Sequence, residues 1–255
     1  MTTLKQKLGR RLRSSRFYPH IYFASSPFKL VEYARLRKGI PFRPDDLILD
    51  VGCGAGLQTL LFGVRARRII GIDPNPNAIG RAVSDHHECA PRIPAEFRTT
   101  TIENAGFPAD MFSKVFSVCV LEHIPDYQSA LRECYRVLQP GGMLSISCDS
   151  LETIGDEGLK RMHAEQHHVE HLFTAESLKD DLERMGFQNV QVNSIFRSGF
   201  AQNLFMRAIR NNFQFRQSAS IGLSWLLRLT DFVSKSDKGL FLIARAVKPV
   251  MGPSA

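Results

Sequence analysis

The apolar residues of this chain fall in short continuous runs separated by turn signals. Leu47-Ile48-Leu49 ends in Asp50, and Ile69-Ile70-Gly71-Ile72 ends in Asp73. Val115 to Leu121 is apolar at six of its seven positions. Runs of this length read as buried strands. Helical spacing lies between them. Leu131, Cys134, Tyr135 and Leu138 recur at i, i+3, i+4 and i+7 before Pro140-Gly141-Gly142 stops the pattern and a further strand, Met143 to Cys148, begins. Upstream, Phe28 to Arg37 predicts a helix that Pro41 and Pro44 end. Downstream, residues 174–185 predict a helix with Thr174 as N-cap and Gly186 after its end, then strands Gln188 to Ile195 and Leu240 to Val247.

Those last two strands are about 44 residues apart where a tight hairpin would suffice. Phe200, Leu204, Phe205 and Ile209 form one helical stripe there, and Ile221, Leu223, Trp225, Leu226, Leu229, Phe232 and Val233 form another. The expected organisation is a helical N-terminal cap over residues 1–44 and one α/β domain over 45–255. Residues 196–238 are an inserted helical lid or structural cap within that domain, and an amphipathic membrane-facing element is the third option.

Chemistry enters at the turn after the first strand. In Asp50-Val51-Gly52-Cys53-Gly54-Ala55-Gly56, three alternating glycines separate a buried strand from the helix-competent run Leu57 to Phe62. Only glycine takes positive φ freely and lets a ligand approach the backbone with no Cβ in the way, so the loop suits a nucleotide-like ligand. The dinucleotide fingerprint G-x-G-x-x-G would need its third glycine at position 57, which is Leu57, and no Gly-Lys-Ser/Thr follows. A pyrophosphate cradle and a P-loop are both disfavoured. Asp73 lies about 20 residues after the first glycine, where a carboxylate can accept from both ribose hydroxyls. Because Pro74-Asn75-Pro76-Asn77 follows it, a turn or helix N-cap role is the alternative.

Together with Leu121-Glu122-His123-Ile124-Pro125-Asp126 and Arg136-Val137-Leu138-Gln139-Pro140-Gly141-Gly142, these segments resemble the class I S-adenosylmethionine-dependent methyltransferases. The resemblance is close over residues 45–149 and looser at Gly186-Phe187 and the closing strand. It implies a Rossmann-like, doubly wound sheet of seven strands with an antiparallel last strand, and S-adenosyl-L-methionine as cofactor. It implies cofactor contacts from Asp50, Gly52, Cys53, Gly54, Gly56, Asp73, Pro74, Thr101, Ile102, Val118 and His123. Thr101 stands where the family usually has an acid for the adenine amino group, with Glu103 two residues on as a substitute, and Ser113 stands where Asp is common. For acceptor chemistry the resemblance points to His123 as a base, Asp149 as an acid near the acceptor, and a loop over the site offering His168 or His171. A structural role for His123 and solvent exposure for the other histidines are the alternatives.

Composition narrows the setting. The 255 residues carry a formal net charge of +8, unevenly placed. Residues 1–16 hold six bases and no acid, and residues 195–238 hold seven bases against Asp231 and Asp237, so the intervening core is acidic. Peripheral membrane contact through 1–16 and 196–238, an anionic substrate, or a solvated helix face would each account for this; no nucleic-acid-binding module is visible. No run of 18 apolar residues and no secretory h-region occur, which fits a cytoplasmic enzyme, with a transit peptide as the alternative. Cys53, Cys89, Cys119, Cys134 and Cys148 are scattered without metal-ligand spacing and read as reduced core residues. His163, His167, His168 and His171 cluster in sequence, yet no metal is expected there. The expected activity is methyl transfer to a small-molecule acceptor, a hydroxyl of a sugar, isoprenoid or secondary metabolite. A non-catalytic S-adenosylmethionine-binding or membrane-associated scaffold module is the rival.

Overall fold

The computed structural model describes residues 26–215 and 217–250; the basic run at 1–16 and most of the expected N-terminal cap lie outside them. Seven strands form one sheet in the order β3-β2-β1-β4-β5-β7-β6. They are β1 Leu47–Val51, β2 Arg68–Asp73, β3 Ala95–Thr99, β4 Phe112–Val118, β5 Leu138–Asp149, β6 Gln188–Ile195 and β7 Phe241–Val247. The first five pair in parallel, and β7 runs antiparallel between β5 and β6. This is the expected doubly wound, Rossmann-like sheet. The strand order reverses between β1 and β4, and in such sheets that switch point opens a crevice at the carboxyl ends of the strands.

Helices cover both faces because the central strands are apolar on both. Leu49, Ile70, Val115, Leu144 and Leu242 meet helices α4 (Tyr127–Val137) and α6 (Ala175–Arg184) on one side. Ile48, Ile69, Phe116 and Ile243 meet α1 (Pro27–Arg37) and the inserted helices α7 (Gly199–Arg210) and α8 (Gln217–Val233) on the other. Among the described residues the remaining helices are α2 (Leu57–Gly63), α3 (Pro76–Cys89) and α5 (Glu157–His167). Thr174 caps α6 as expected, through a reciprocal capping box with Ser177. Among the described residues no helix is long and apolar enough to cross a membrane. Cys53, Cys134 and Cys148 are buried free thiols and Cys119 is half-buried.

Three local expectations are corrected. Strand β4 starts at Phe112, ahead of the apolar run, because Lys114 is buried in an ion pair with Asp46, and Ser113 donates to Asp46 Oδ1 at 2.8 Å. It ends at Val118 because Cys119 takes the left-handed conformation (φ 52°) and turns the chain into a 3-10 turn over Leu121–His123. Pro140-Gly141-Gly142 does not separate helix from strand. It lies within β5 at a register shift, with Gly141 at φ 78° and its N–H donated to Lys248 O. The histidine-rich stretch expected as a loop is mostly helix α5. Asp156 caps it, Leu159 and His163 at i, i+4 are buried, and His168 ends it at φ 54°. Only 168–174 remain a loop.

Candidate functional site

The glycine loop is shaped by close packing. All three glycines take positive φ, of 69°, 53° and 78°. A Cβ on Gly52 would lie within 2.6 Å of Val120 Cγ1, and one on Gly56 within 2.8 Å of Ala82 Cβ and the Phe97 ring. Gly54 has open space around it, so its requirement is conformational alone. The loop is tied to the end of β2 by Asp73. Its Oδ2 accepts from Gly54 N and its Oδ1 from Asn75 N, both at 2.9 Å. The helix N-cap is Asn75, which accepts from Asn77 N and Ala78 N, so the capping alternative for Asp73 passes to its neighbour. Each Asp73 oxygen keeps acceptor capacity beyond its one backbone bond.

Next to Asp73, at the switch point, lies a cavity of about 310 Å³. Its wall includes Gly52, Asp73, Pro74, Thr101, Ile102 and His123, six of the residues expected on sequence grounds. Glu103 lines it as well, beside Cys119, Val120 and Ile124. The remaining expected residues stand elsewhere. Cys53 is buried behind the loop, donating its N–H to Ile72 O. Asp50 is fully buried beneath the loop, with Oδ2 accepting from Thr59 Oγ1 at 2.5 Å and Oδ1 unpartnered. Burial raises its carboxyl to about 7, and the nearby charge of Asp73 adds to the shift. Val118 faces away, toward α1 with Tyr33 and Phe62, and its successor Cys119 is the residue on the cavity wall.

At the carboxyl end of β4, the 3-10 turn presents His123 to the cavity. Its Nδ1 lies 3.1 Å from the His168 carbonyl oxygen. A carbonyl can only accept, so Nδ1 is the donor in this contact, and in a neutral ring with that tautomer Nε2 carries the lone pair. The loop supplying that carbonyl is itself pinned. Glu170 N and His171 N both donate to Glu122 O, at 2.7 and 3.1 Å, and His171 Nε2 donates to Pro125 O at 3.0 Å. His168 thus enters through its backbone while its ring is exposed, and the His171 ring is engaged with Pro125 and Tyr127.

Behind this turn sits a buried polar cluster that spans four segments. His163 Nε2 donates to Asp149 Oδ2 at 2.6 Å, and Asp149 N donates to Glu122 Oε1 at 3.3 Å. Glu122 Oε2 is buried without a partner. Burial, reinforced by Asp149, pushes the Glu122 carboxyl well above the usual carboxylate range. On the other side Ser147 Oγ and Cys119 Sγ donate to Glu32 Oε1 at 2.5 and 2.9 Å, and Lys29 pairs with Glu32 at 2.8 Å. Burial and Glu32 hold the Cys119 thiol protonated, which removes it as a nucleophile at neutral pH. Ligand atoms of Cys119, Glu122 and Asp149 lie within 4.8 Å of one another, close enough for a metal. The protonated thiol and the adjoining Lys29 ammonium make it a poor cation site. Sequence reading missed Lys29 and Glu32 and gave His163 no role beyond its place in the histidine cluster; all three lie outside the resembling segment and meet it only in three dimensions. Insertion residues reach this region too, since Phe205 and Phe213 pack on the His163 ring and Phe213 on that of His167.

Residues 49–146 match the family described as "Methyltransferase domain". A ubiquinone biosynthesis O-methyltransferase of Pseudomonas putida is 35% identical over 101 residues, 39% of this chain and 43% of that protein. The match thus spans less than half the length of that curated relative. Among solved structures, the Haemonchus contortus phosphoethanolamine N-methyltransferase 2 in complex with S-adenosyl-L-methionine superposes with a TM-score of 0.65 at 19% identity, covering 94% of this chain and 60% of that one. The [4+2]-cyclase SpnF superposes at 0.62 and 19% identity, covering 96% and 82%. Likeness at that level shows the fold, and the fold alone does not fix the reaction.

Proposed function

We infer, from a chain whose residues 49–146 belong to the methyltransferase-domain family, that the 310 Å³ cavity binds S-adenosylmethionine and that the protein moves its methyl group to a small-molecule acceptor. The observation that carries this reading is the convergence of Gly52, Asp73, Thr101, Ile102 and His123 on one cavity at the switch point. The residues fit the cofactor. Free acceptor capacity on Asp73 suits vicinal ribose hydroxyls, the φ-positive glycine loop admits close approach, and Ile102, Val120 and Ile124 offer apolar surface to a base. Glu103 on the wall takes the place of the missing acid at Thr101.

When bound, the sulfonium supplies a methyl carbon already activated for displacement. The chain's own task is to hold an acceptor in line with it and to manage one proton. For a hydroxyl acceptor, His123 Nε2 takes that proton as the new O–C bond forms, and the His168 carbonyl, bonded to Nδ1–H, stabilises the resulting imidazolium. Asp149, fixed by His163, and Glu122, holding the 168–171 loop, position this base. We favour a hydroxyl of a sugar, isoprenoid or secondary metabolite as the acceptor; the O-methyltransferase name of the Pseudomonas relative supports the oxygen. Incubating the purified protein with methyl-labelled S-adenosylmethionine and extract from a strain lacking it should label one small molecule. Label confined to a nitrogen compound would overturn the hydroxyl reading, and no labelled product would overturn methyl transfer.

A further inference from the structure

Helix α8 is amphipathic the wrong way round for a surface helix. Its buried seam is Ser220, Ser224, Leu227 and Asp231, at i, i+4, i+7 and i+11, three of them polar. The outward face carries Ile221, Trp225, Leu226, Leu229, Phe232 and Val233. Trp225 is 67% exposed, Leu229 59% and Phe232 82%. A contiguous exposed apolar stripe on an otherwise well-packed domain marks an interaction surface. The inward seam is fully engaged: Asp231 Oδ1 accepts from Arg197 N at 2.6 Å, and Arg197 donates to Asp231 O and Ser236 O. The helix is therefore fixed to the body with its apolar side outward.

Charge identifies what meets that side. The sole acid of α8 is the buried Asp231, so its exposed face presents no negative charge. Arg207, Arg210, Lys235 and Lys238 of the same insertion are exposed, Lys238 in an ion pair with Glu152, against Asp237 alone among the insertion's own exposed acids. Beside the carboxyl end of α8 opens a cavity of about 710 Å³ whose charged lining is Arg35, Lys38, Arg197 and Arg245 against Asp231 and Asp237, with Asp231 paired to Arg35 and Arg197. Residues 1–16 add six bases and no acid in sequence. An apolar face with Trp and Phe, on a helix too short to span and in an insertion whose exposed charge is mainly basic, is the pattern of an element that lies in a membrane interface. Anionic headgroups complement its surroundings. We propose that the outer face of α8 docks this protein on an anionic lipid bilayer surface.

Trp225 is the only tryptophan in the chain, so its fluorescence reports this face directly. In the full-length protein its emission should be that of a solvent-exposed indole, and should shift to shorter wavelength with phosphatidylglycerol-containing vesicles but not with pure phosphatidylcholine vesicles. The protein should sediment with the former and be released by salt. Leu229→Glu and Phe232→Glu, both at exposed positions, should each lower the vesicle partition coefficient by about tenfold or more, with unchanged circular dichroism and melting temperature. Four results would overturn the proposal. These are no shift and no sedimentation with anionic vesicles, or vesicle binding that both variants retain. The others are blue-shifted emission without lipid in a particle of twice the monomer mass, which would assign the face to a second copy, and blue-shifted emission in a monomer, which would assign it to another part of the same chain.

Discussion

Replacing Gly52 by Ala tests the physical basis of the cavity. Two independent costs arise. At φ 69° an L-residue carries the penalty of the left-handed region, about 1–2 kcal/mol. The new Cβ would also sit within 2.6 Å of Val120 Cγ1, and closer to Cγ2, an overpacking that typically costs about 1–3 kcal/mol. Gly52→Ala should therefore destabilise the protein by about 2–5 kcal/mol in denaturant unfolding. The two costs separate in a double-mutant cycle. Val120→Ala removes both methyls that the Cβ would strike, and should return about 1–3 kcal/mol in the Gly52→Ala background while leaving the backbone penalty in place. Calorimetric titration of the same four proteins with S-adenosylhomocysteine should show weakened binding in Gly52→Ala and partial recovery in the double variant, since Val120 forms part of the cavity wall. A Gly52→Ala loss below about 0.5 kcal/mol, or a coupling energy near zero, would refute the packing argument.

Asp73→Ala should weaken S-adenosylmethionine binding by roughly 1.5–3 kcal/mol, about 10- to 150-fold in Kd, because it removes charged hydrogen bonds to the ligand and the tie to Gly54 N. His123→Ala should lower kcat by about 10² to 10⁴ with Kd for S-adenosylmethionine nearly unchanged, and the loss should shrink at high pH, where a hydroxyl acceptor ionises unaided; equal turnover would reject the base. Asp50 sets a pH dependence of stability. Folded Asp50 keeps its proton up to about 7 while the unfolded chain loses it near 4, so the folded state binds more protons between those values and stability falls as pH rises through that window. Asp50→Asn should flatten that slope in unfolding experiments at pH 5 and 8; an unchanged slope would contradict a protonated Asp50.

Much of the fold was legible because parallel strands buried on both faces must be continuous apolar runs, and because Thr174, Gly186 and the glycine loop carry local conformational signals. The misplaced edges have a common cause, long-range pairing that no local pattern encodes. Lys114 sits inside β4 only because Asp46 meets it, and Gly141 stays inside β5 only because Lys248 pairs with it. At the site, the glycine loop and Asp73 carry their signal in spacing, whereas Thr101, Ile102 and His123 are points to which only the family resemblance leads. The resemblance points to Val118 for a cofactor contact, whereas Cys119 is the residue on the cavity wall; the left-handed turn at Cys119 that ends the strand leaves no mark in composition. Lys29, Glu32 and His163 come from segments outside the resembling one, and only folding brings them to Cys119 and Asp149.

The central claim is that this cavity is an S-adenosylmethionine site, and the most direct test is calorimetric titration of the purified full-length protein with S-adenosylmethionine, S-adenosylhomocysteine and a nicotinamide dinucleotide. One site for each of the first two, lost or strongly weakened in Asp73→Ala, and no displacement by the dinucleotide would be the predicted result. Absence of heat with both sulfur ligands at high protein concentration, or displacement by the dinucleotide at micromolar levels, would contradict it.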